Sequence, residues 1–169
     1  NTALGTESLC LNTTAHRNTA VGAFAMCKNT TGFNNTASGY KALTSNTTGC
    51  YNTAVGNMAL RCNTDGIQNT ASGTYSNFYN TTGIRNTSHG YAAGMKTTTA
   101  NNNTAIGHTA LYENTTGACN TASGYGALYT NSTGACNSAF GSRALLSKDR
   151  KSTRLNPSHN PISYAHFCL

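Results

Sequence analysis

Apolar and small side chains recur along this chain at a spacing that is neither the 3.6 of a helix nor the 2 of an ordinary strand. Asn-Thr-Ala or a near variant begins at Asn1, Asn18, Asn35, Asn52, Asn69, Asn86, Asn103, Asn120 and Asn137, and every step is 17 residues with no insertion or deletion. Within the unit, Ala holds the third and eighth positions, Leu or Met the ninth, and the consensus reads N-T-A-x-G-x-x-A-L-x-x-N-T-T-G-x-x. Eight full units end at Cys136 and a ninth runs to Lys148. Gly and Asn-Thr pairs interrupt every candidate helical stripe, so an α-solenoid is disfavoured. The pattern predicts an all-β chain, a parallel β-solenoid or β-roll with one 17-residue repeat per coil.

Glycine marks the corners. Gly5, Gly22, Gly39, Gly56, Gly73, Gly90, Gly107, Gly124 and Gly141 fill the fifth position of all nine units. That constancy points to positive φ or close backbone approach. A second glycine closes most N-T-T-G segments. Two glycine corners per unit predict a flattened coil of two short extended segments and two turns. Leu9, Met26, Leu43, Leu60, Leu111, Leu128 and Leu145 stack into one apolar column in such a coil. The nine Asn residues that open the units form another, whose amides bond to the rungs above and below. Nine coils about 4.8 Å apart make a rod on the order of 40 Å long. The sixth unit departs most, with Ser88, Gly94 and Thr97 at consensus Ala, Leu and Asn positions, and the fifth has Asn77 at the Leu position. They read as worn rungs or a softer zone.

Composition sharpens this picture. Only 9% of residues are charged and Trp is absent, against about 25% charged in ordinary domains. Much of the apolar content is Ala, so a conventional core would be thin at about 25 cal/mol per Å²; self-association is expected to supplement it. The net charge of +7 is spread thinly, without a basic cluster interleaved with aromatics, and nucleic-acid binding is not expected. There is no initiator Met, no signal peptide and no apolar run long enough to span a bilayer. The chain reads as an internal piece of a longer protein.

The segment N-T-A-I-G-H-T-A-L-Y-E-N-T-T-G at Asn103–Gly117 resembles the repeats of bacterial and phage tail-fibre-domain proteins. More distantly, it is similar to the head repeats of trimeric autotransporter adhesins, which have a shorter period. The resemblance covers residues 1–148. It implies a β-roll or β-solenoid assembled as a trimer, placed extracellularly on a cell surface or virion, with a host-surface glycan or protein as receptor. Nothing matches the self-cleaving chaperone domain that often ends such fibres, so no protease activity is implied. Residues 149–169, beginning D-R-K-S-T-R-L-N, closely resemble the conceptual translation of a sequencing adapter. They are expected to be a non-native, disordered tail.

Little chemistry stands out, and no catalytic, cofactor or metal site is expected. Glu7, Asp65 and Glu113 lie in different units at different positions, unsuited to paired acid–base work. His16, His89 and His108 occupy three different columns and read as exposed substitutions. Cys10 and Cys27 share the tenth position, and Cys119 and Cys136 the seventeenth. Stacked neighbours about 4.8 Å apart are within disulfide reach, so inter-rung staples and small filler both stand as readings. No C-x-x-C pair occurs, which argues against zinc. Nine N-x-S/T sequons fall mostly on the N-T-T element itself. Tyr40, Tyr91 and Tyr125 share the sixth position, and Tyr112 and Tyr129 the tenth; exposed rings there would suit sugar stacking or packing between rungs. The Thr column at the second position is similar to the ice-binding faces of antifreeze solenoids. The adjacent Thr pair of N-T-T would leave one outward Thr per strand, a poor ice template. The leading expectation is a structural or adhesive shaft, with ice binding as the alternative.

Overall fold

The computed structural model describes residues 1–146 and 165–167. The chain winds as a parallel β-solenoid with one 17-residue unit per coil and no helix among the described residues. Each coil contributes one short strand: β1 (Thr2–Leu4), β2 (Thr19–Val21), β3 (Thr36–Ser38), β4 (Thr53–Val55), β5 (Thr70–Ser72), β6 (Thr87–His89), β7 (Thr104–Ile106), β8 (Thr121–Ser123) and β9 (Asn137–Phe140). They pair in sequence order, parallel and in register, Thr19 beside Thr36 and Ala20 beside Ala37. β10 (Ala165–Phe167) adds antiparallel to β9. The tail expected to be disordered lies outside the described residues except for these three, which form a strand.

The coil differs from the expected two extended segments and two turns. It has one strand, and the N-T-T segment is not one. Three corners per coil take left-handed backbone at residues that are mostly not glycine: the seventh, ninth and seventeenth positions, as at Lys41 (φ 55°), Leu43 (φ 51°) and Tyr51 (φ 60°). Left-handed φ costs an L-residue about 1–2 kcal/mol. The ninth position shows what is gained. Extended backbone sends successive side chains to opposite faces, yet Ala42 and Leu43 are both fully buried. The positive φ at Leu43 breaks the alternation and turns two consecutive side chains inward.

Inter-coil bonding continues through these corners. Lys41 N donates to the Ala23 carbonyl at 3.0 Å, Leu43 N to Ala59 at 3.0 Å and Tyr51 N to Phe33 at 3.1 Å. The irregular part of the coil is therefore laddered like the strand, and the strain is offset bond by bond.

The fifth-position glycines pack backbone against backbone. Gly56 sits at φ 132°, and a Cβ there would lie 2.7 Å from the Gly73 carbonyl carbon and oxygen. Inside the coil, Ala20, Ala37, Ala54 and Ala71 from the strands pack with Met26, Leu43 and Leu60, all at 0% exposure. A second apolar cluster runs from Ala93 to Ala144. Both are buried within a single chain, so covering the Ala and Leu columns does not call for a partner.

Candidate functional site

The most elaborate polar construction lies inside the coil. Asn18, Asn35, Asn52, Asn69, Asn86, Asn103 and Asn120 are 0–3% exposed. Asn35 donates Nδ2–H to the Gly49 carbonyl at 2.8 Å, and its Oδ1 accepts the backbone N–H of Asn52 at 2.8 Å. The same pair of bonds recurs at Asn1 and Asn18. Asn137, at the last coil, donates its backbone N–H to Asn120 Oδ1 at 2.9 Å. The twelfth position forms the amide-to-amide file: Asn46 Nδ2 to Asn29 Oδ1 at 2.7 Å, Asn63 to Asn46 at 2.8 Å, Asn80 to Asn63 at 2.7 Å. Glycine at the fifteenth position serves this network by its small size. A Cβ on Gly49 would sit 2.5 Å from Asn46 Oδ1 and 2.9 Å from Asn63 Nδ2. Its φ lies outside the left-handed region.

The strand face is outward on both sides of its buried Ala. Thr19, Thr36, Thr53, Thr70 and Thr87 are exposed in one file, while Thr104 and Thr121 are half-buried. The fourth position beside them varies: Leu4, Val21, Ser38, Val55, Ser72, His89, Ile106, Ser123 and Phe140. The N-T-T threonines have another task. Thr30, Thr47, Thr64, Thr81 and Thr98 each donate a hydroxyl to the backbone carbonyl one coil on, at 3.1–3.3 Å. Their neighbours Thr31, Thr48, Thr82 and Thr99 are exposed.

The aromatic files pack between rungs. Tyr91, His108 and Tyr125 stack with centroids 5.0 and 5.4 Å apart. Tyr75 meets Tyr91 edge-on at 6.1 Å, and the Arg143 guanidinium lies 5.6 Å from the Tyr125 centroid. Tyr112 and Tyr129 stack at 4.9 Å and 4°, with Lys96 Nζ 5.4 Å from the Tyr112 ring. Tyr40 meets Phe24 edge-on, and Lys41 Nζ lies 4.9 Å from its centroid. Ring faces are thus largely taken up by neighbouring rungs, leaving edges to solvent. His108 belongs to this stack. The signal was available, since it shares the sixth position with Tyr91 and Tyr125.

Folding also brings together Glu7, Cys10 and Cys27, whose ligand atoms lie within 4.8 Å of one another. Burial, then the neighbouring Cys10 and Glu7, push the Cys27 thiol above its usual value. Cys10 and Cys27 are thiols here. The group is open to solvent; it can be oxidised to a disulfide or offer three donors to a soft divalent cation. The shared tenth position brought the two cysteines together in the sequence; Glu7, in a different column, is what the structure adds. Cys119 and Cys136 occupy successive left-handed corners (φ 57° and 56°). Cys62 is raised by burial, partly opposed by Arg61.

The remaining chemistry is scattered. Lys96 and Glu113 form an ion pair at 2.9 Å across one rung, which holds the lysine above its ordinary value. The Thr48 hydroxyl donates to Asp65 at 2.7 Å and Thr47 at 3.1 Å, lowering the carboxyl. His16 stacks on Phe33 and His89 is exposed. Six of the nine sequon asparagines (Asn29, Asn46, Asn80, Asn86, Asn114 and Asn131) are buried. Two open hollows, of about 540 and 530 Å³, run along the surface by Tyr125 and Tyr129 and by Tyr79 and Lys96. Neither lining contains a carboxylate or an imidazole. No helix among the described residues is long and apolar enough to cross a membrane. Comparison with protein-family models, curated proteins and solved structures finds no match for this chain.

Proposed function

We propose that this chain is a shaft segment of an extracellular fibre, tail fibre or surface adhesin, acting as a stiff, sparsely charged spacer without catalytic machinery. One observation carries the reading: like residues touch like through nine consecutive coils, with the interior taken up by Ala and Leu columns and bonded amides. Such a body extends by adding units and depends on nearest-neighbour contacts. Trimeric assembly rests on the resemblance to adhesin heads and on exposed Leu4, Val21, Val55, Ile106 and Phe140 along one strand face. A receptor, glycan or protein, would meet the variable outward positions; with ring faces stacked between rungs, it would contact edges and hydroxyls.

Small-angle scattering on chains of one and two copies of residues 1–146 tests the shaft reading. The maximum dimension is expected to rise in proportion to coil number, and a compact, non-scaling particle would overturn it. Light scattering on the same samples decides between trimer and monomer.

A second reading, ice binding, is favoured by the in-register outward Thr file at the second position. Its weakness is the fourth position, where side chains from Ser to Phe vary in size along what would have to be a flat lattice. Absence of thermal hysteresis at millimolar protein would dispose of it.

A further inference from the structure

The interior is apolar or amide-bonded except where the fifth coil meets the sixth. Five inward positions change together there: Asn77 and Gly94 stand in the Leu column, Ser76 and Ser88 in the two Ala columns and Thr97 in the Asn file. Asn77 and Thr97 are 1% exposed and Ser88 2%. A Cβ on Gly94 would lie 2.6 Å from both Asn77 Oδ1 and Ser88 Oγ, so two polar heads turn into the space a leucine fills elsewhere. Ser88 Oγ donates to Asn77 Oδ1 at 3.0 Å.

Two polar atoms are left over. Asn77 Nδ2 has no partner, and neither does Asn80 Oδ1, which is fully buried. The second orphan has a clear cause: at each of the four preceding steps the next coil's Asn Nδ2 fills this role, and Thr97 lacks that group. Turning the Asn77 amide over only exchanges the orphan donor for an orphan acceptor, since Ser88 Oγ accepts as well as donates. Asn77 and Asn80 share one tight turn, Asn80 N donating to the Asn77 carbonyl at 3.2 Å. A buried donor or acceptor without a partner costs about 1–3 kcal/mol.

We propose that this junction is an internal water-binding site. At least one molecule accepts from Asn77 Nδ2 and donates to Asn80 Oδ1, beside Gly94 and Thr97. Asn77 Oδ1 and Ser88 Oγ occupy the part of the missing leucine's space next to Gly94, and Asn77, Asn80, Ser88 and Thr97 supply the two to four polar partners a buried water requires. None of the five substituted residues is charged, so a neutral molecule fits where an ion would meet an uncompensated desolvation cost.

The test uses the whole chain in two measurements. A crystal structure showing ordered solvent should place a water within hydrogen-bond distance of both orphan atoms. Magnetic relaxation dispersion of water in solution should count at least one more long-lived internal water in the natural chain than in the double variant Thr97→Asn/Ala100→Gly. That variant restores the amide of the file and the glycine that makes room for it, so it is expected to fold; circular dichroism checks this. A crystal structure in which protein groups satisfy Asn77 Nδ2 and Asn80 Oδ1, or equal dispersion amplitudes for the two folded chains, would overturn the proposal.

Discussion

Backbone sign, more than side-chain identity, sets what each residue of this coil contributes. Among the described residues, twenty-four other than glycine carry positive φ, all at three corners of the repeat. At the ninth position the strain turns a leucine inward; at the seventeenth the side chain is often exposed and the strain has no such return. Arg17, exposed at φ 57°, is such a case. Arg17→Gly relieves about 1–2 kcal/mol of strain and loses about 0.5–1 in chain entropy, for a net gain of about 0.5–1 kcal/mol. Arg17→Val, branched at Cβ, should be destabilising instead, and urea midpoints of the two variants will show opposite signs. Charge at a single residue makes a second prediction. Threonine hydroxyls hold the Asp65 carboxyl below its usual range, so its stabilising contribution is fully present above the unfolded value of about 3.9. It is lost as pH falls through the lower folded value. Asp65→Thr restores the repeat consensus. The difference in Tm between natural chain and variant should shift in the variant's favour on acidification below about pH 4; a difference independent of pH would refute the assignment.

One coil is stable because its polar interior is bonded to the next. Asn46 shows the full arrangement: it donates to Asn29 Oδ1 at 2.7 Å and to the Gly49 carbonyl at 2.9 Å, and accepts from Asn63 at 2.8 Å. Asn80 makes the two donor bonds, at 2.7 and 3.1 Å, but no protein group donates to its Oδ1. Removing Asn46 leaves a buried donor on Asn63 as well as buried acceptors, at about 1–3 kcal/mol for each orphan. Asn46→Ala should therefore lower stability by at least about 1 kcal/mol more than Asn80→Ala, and equal losses would argue against an energetic ladder. Much of this element was legible in the sequence. A strict 17-residue period could only mean like residues in register, and the Gly, Leu and Asn columns followed from it. The left-handed corners were not legible, because Lys, Tyr, Arg and Leu hold them with no preference for that backbone; inter-coil N–H bonds impose it. The Tyr91–His108–Tyr125 stack was half legible, since its column was visible while the histidine was read apart from it. Of the Glu7–Cys10–Cys27 group, the cysteine pair was legible from its shared column, while Glu7, on a left-handed corner three positions earlier, was not.

At the scale of the whole rod, stability is a sum of units and the contacts between neighbours, so one poor interface can divide the molecule. The backbone gives no sign of such a division. β5 and β6 keep their register, and Asn77 N and Gly94 N still bond to the next coil at 2.9 Å. The interior does show one. One apolar cluster ends at Ala71 and the next begins at Ala93, with the amide file broken between Asn80 and Thr97. Buried apolar contact provides most of the cooperativity between rungs, and here it is replaced by a serine, an asparagine and a glycine. The first four coils and the last three should consequently unfold as separate cooperative blocks. Urea denaturation should show an intermediate, and amide exchange should be fastest, among the interior positions, around residues 77–97. Restoring the consensus with Asn77→Leu, Ser88→Ala, Gly94→Leu, Thr97→Asn and Ala100→Gly should fuse the two transitions into one at a higher midpoint. A natural chain that unfolds in a single step, with uniform protection across the junction, would mean that backbone laddering alone couples the coils and the interior columns are secondary.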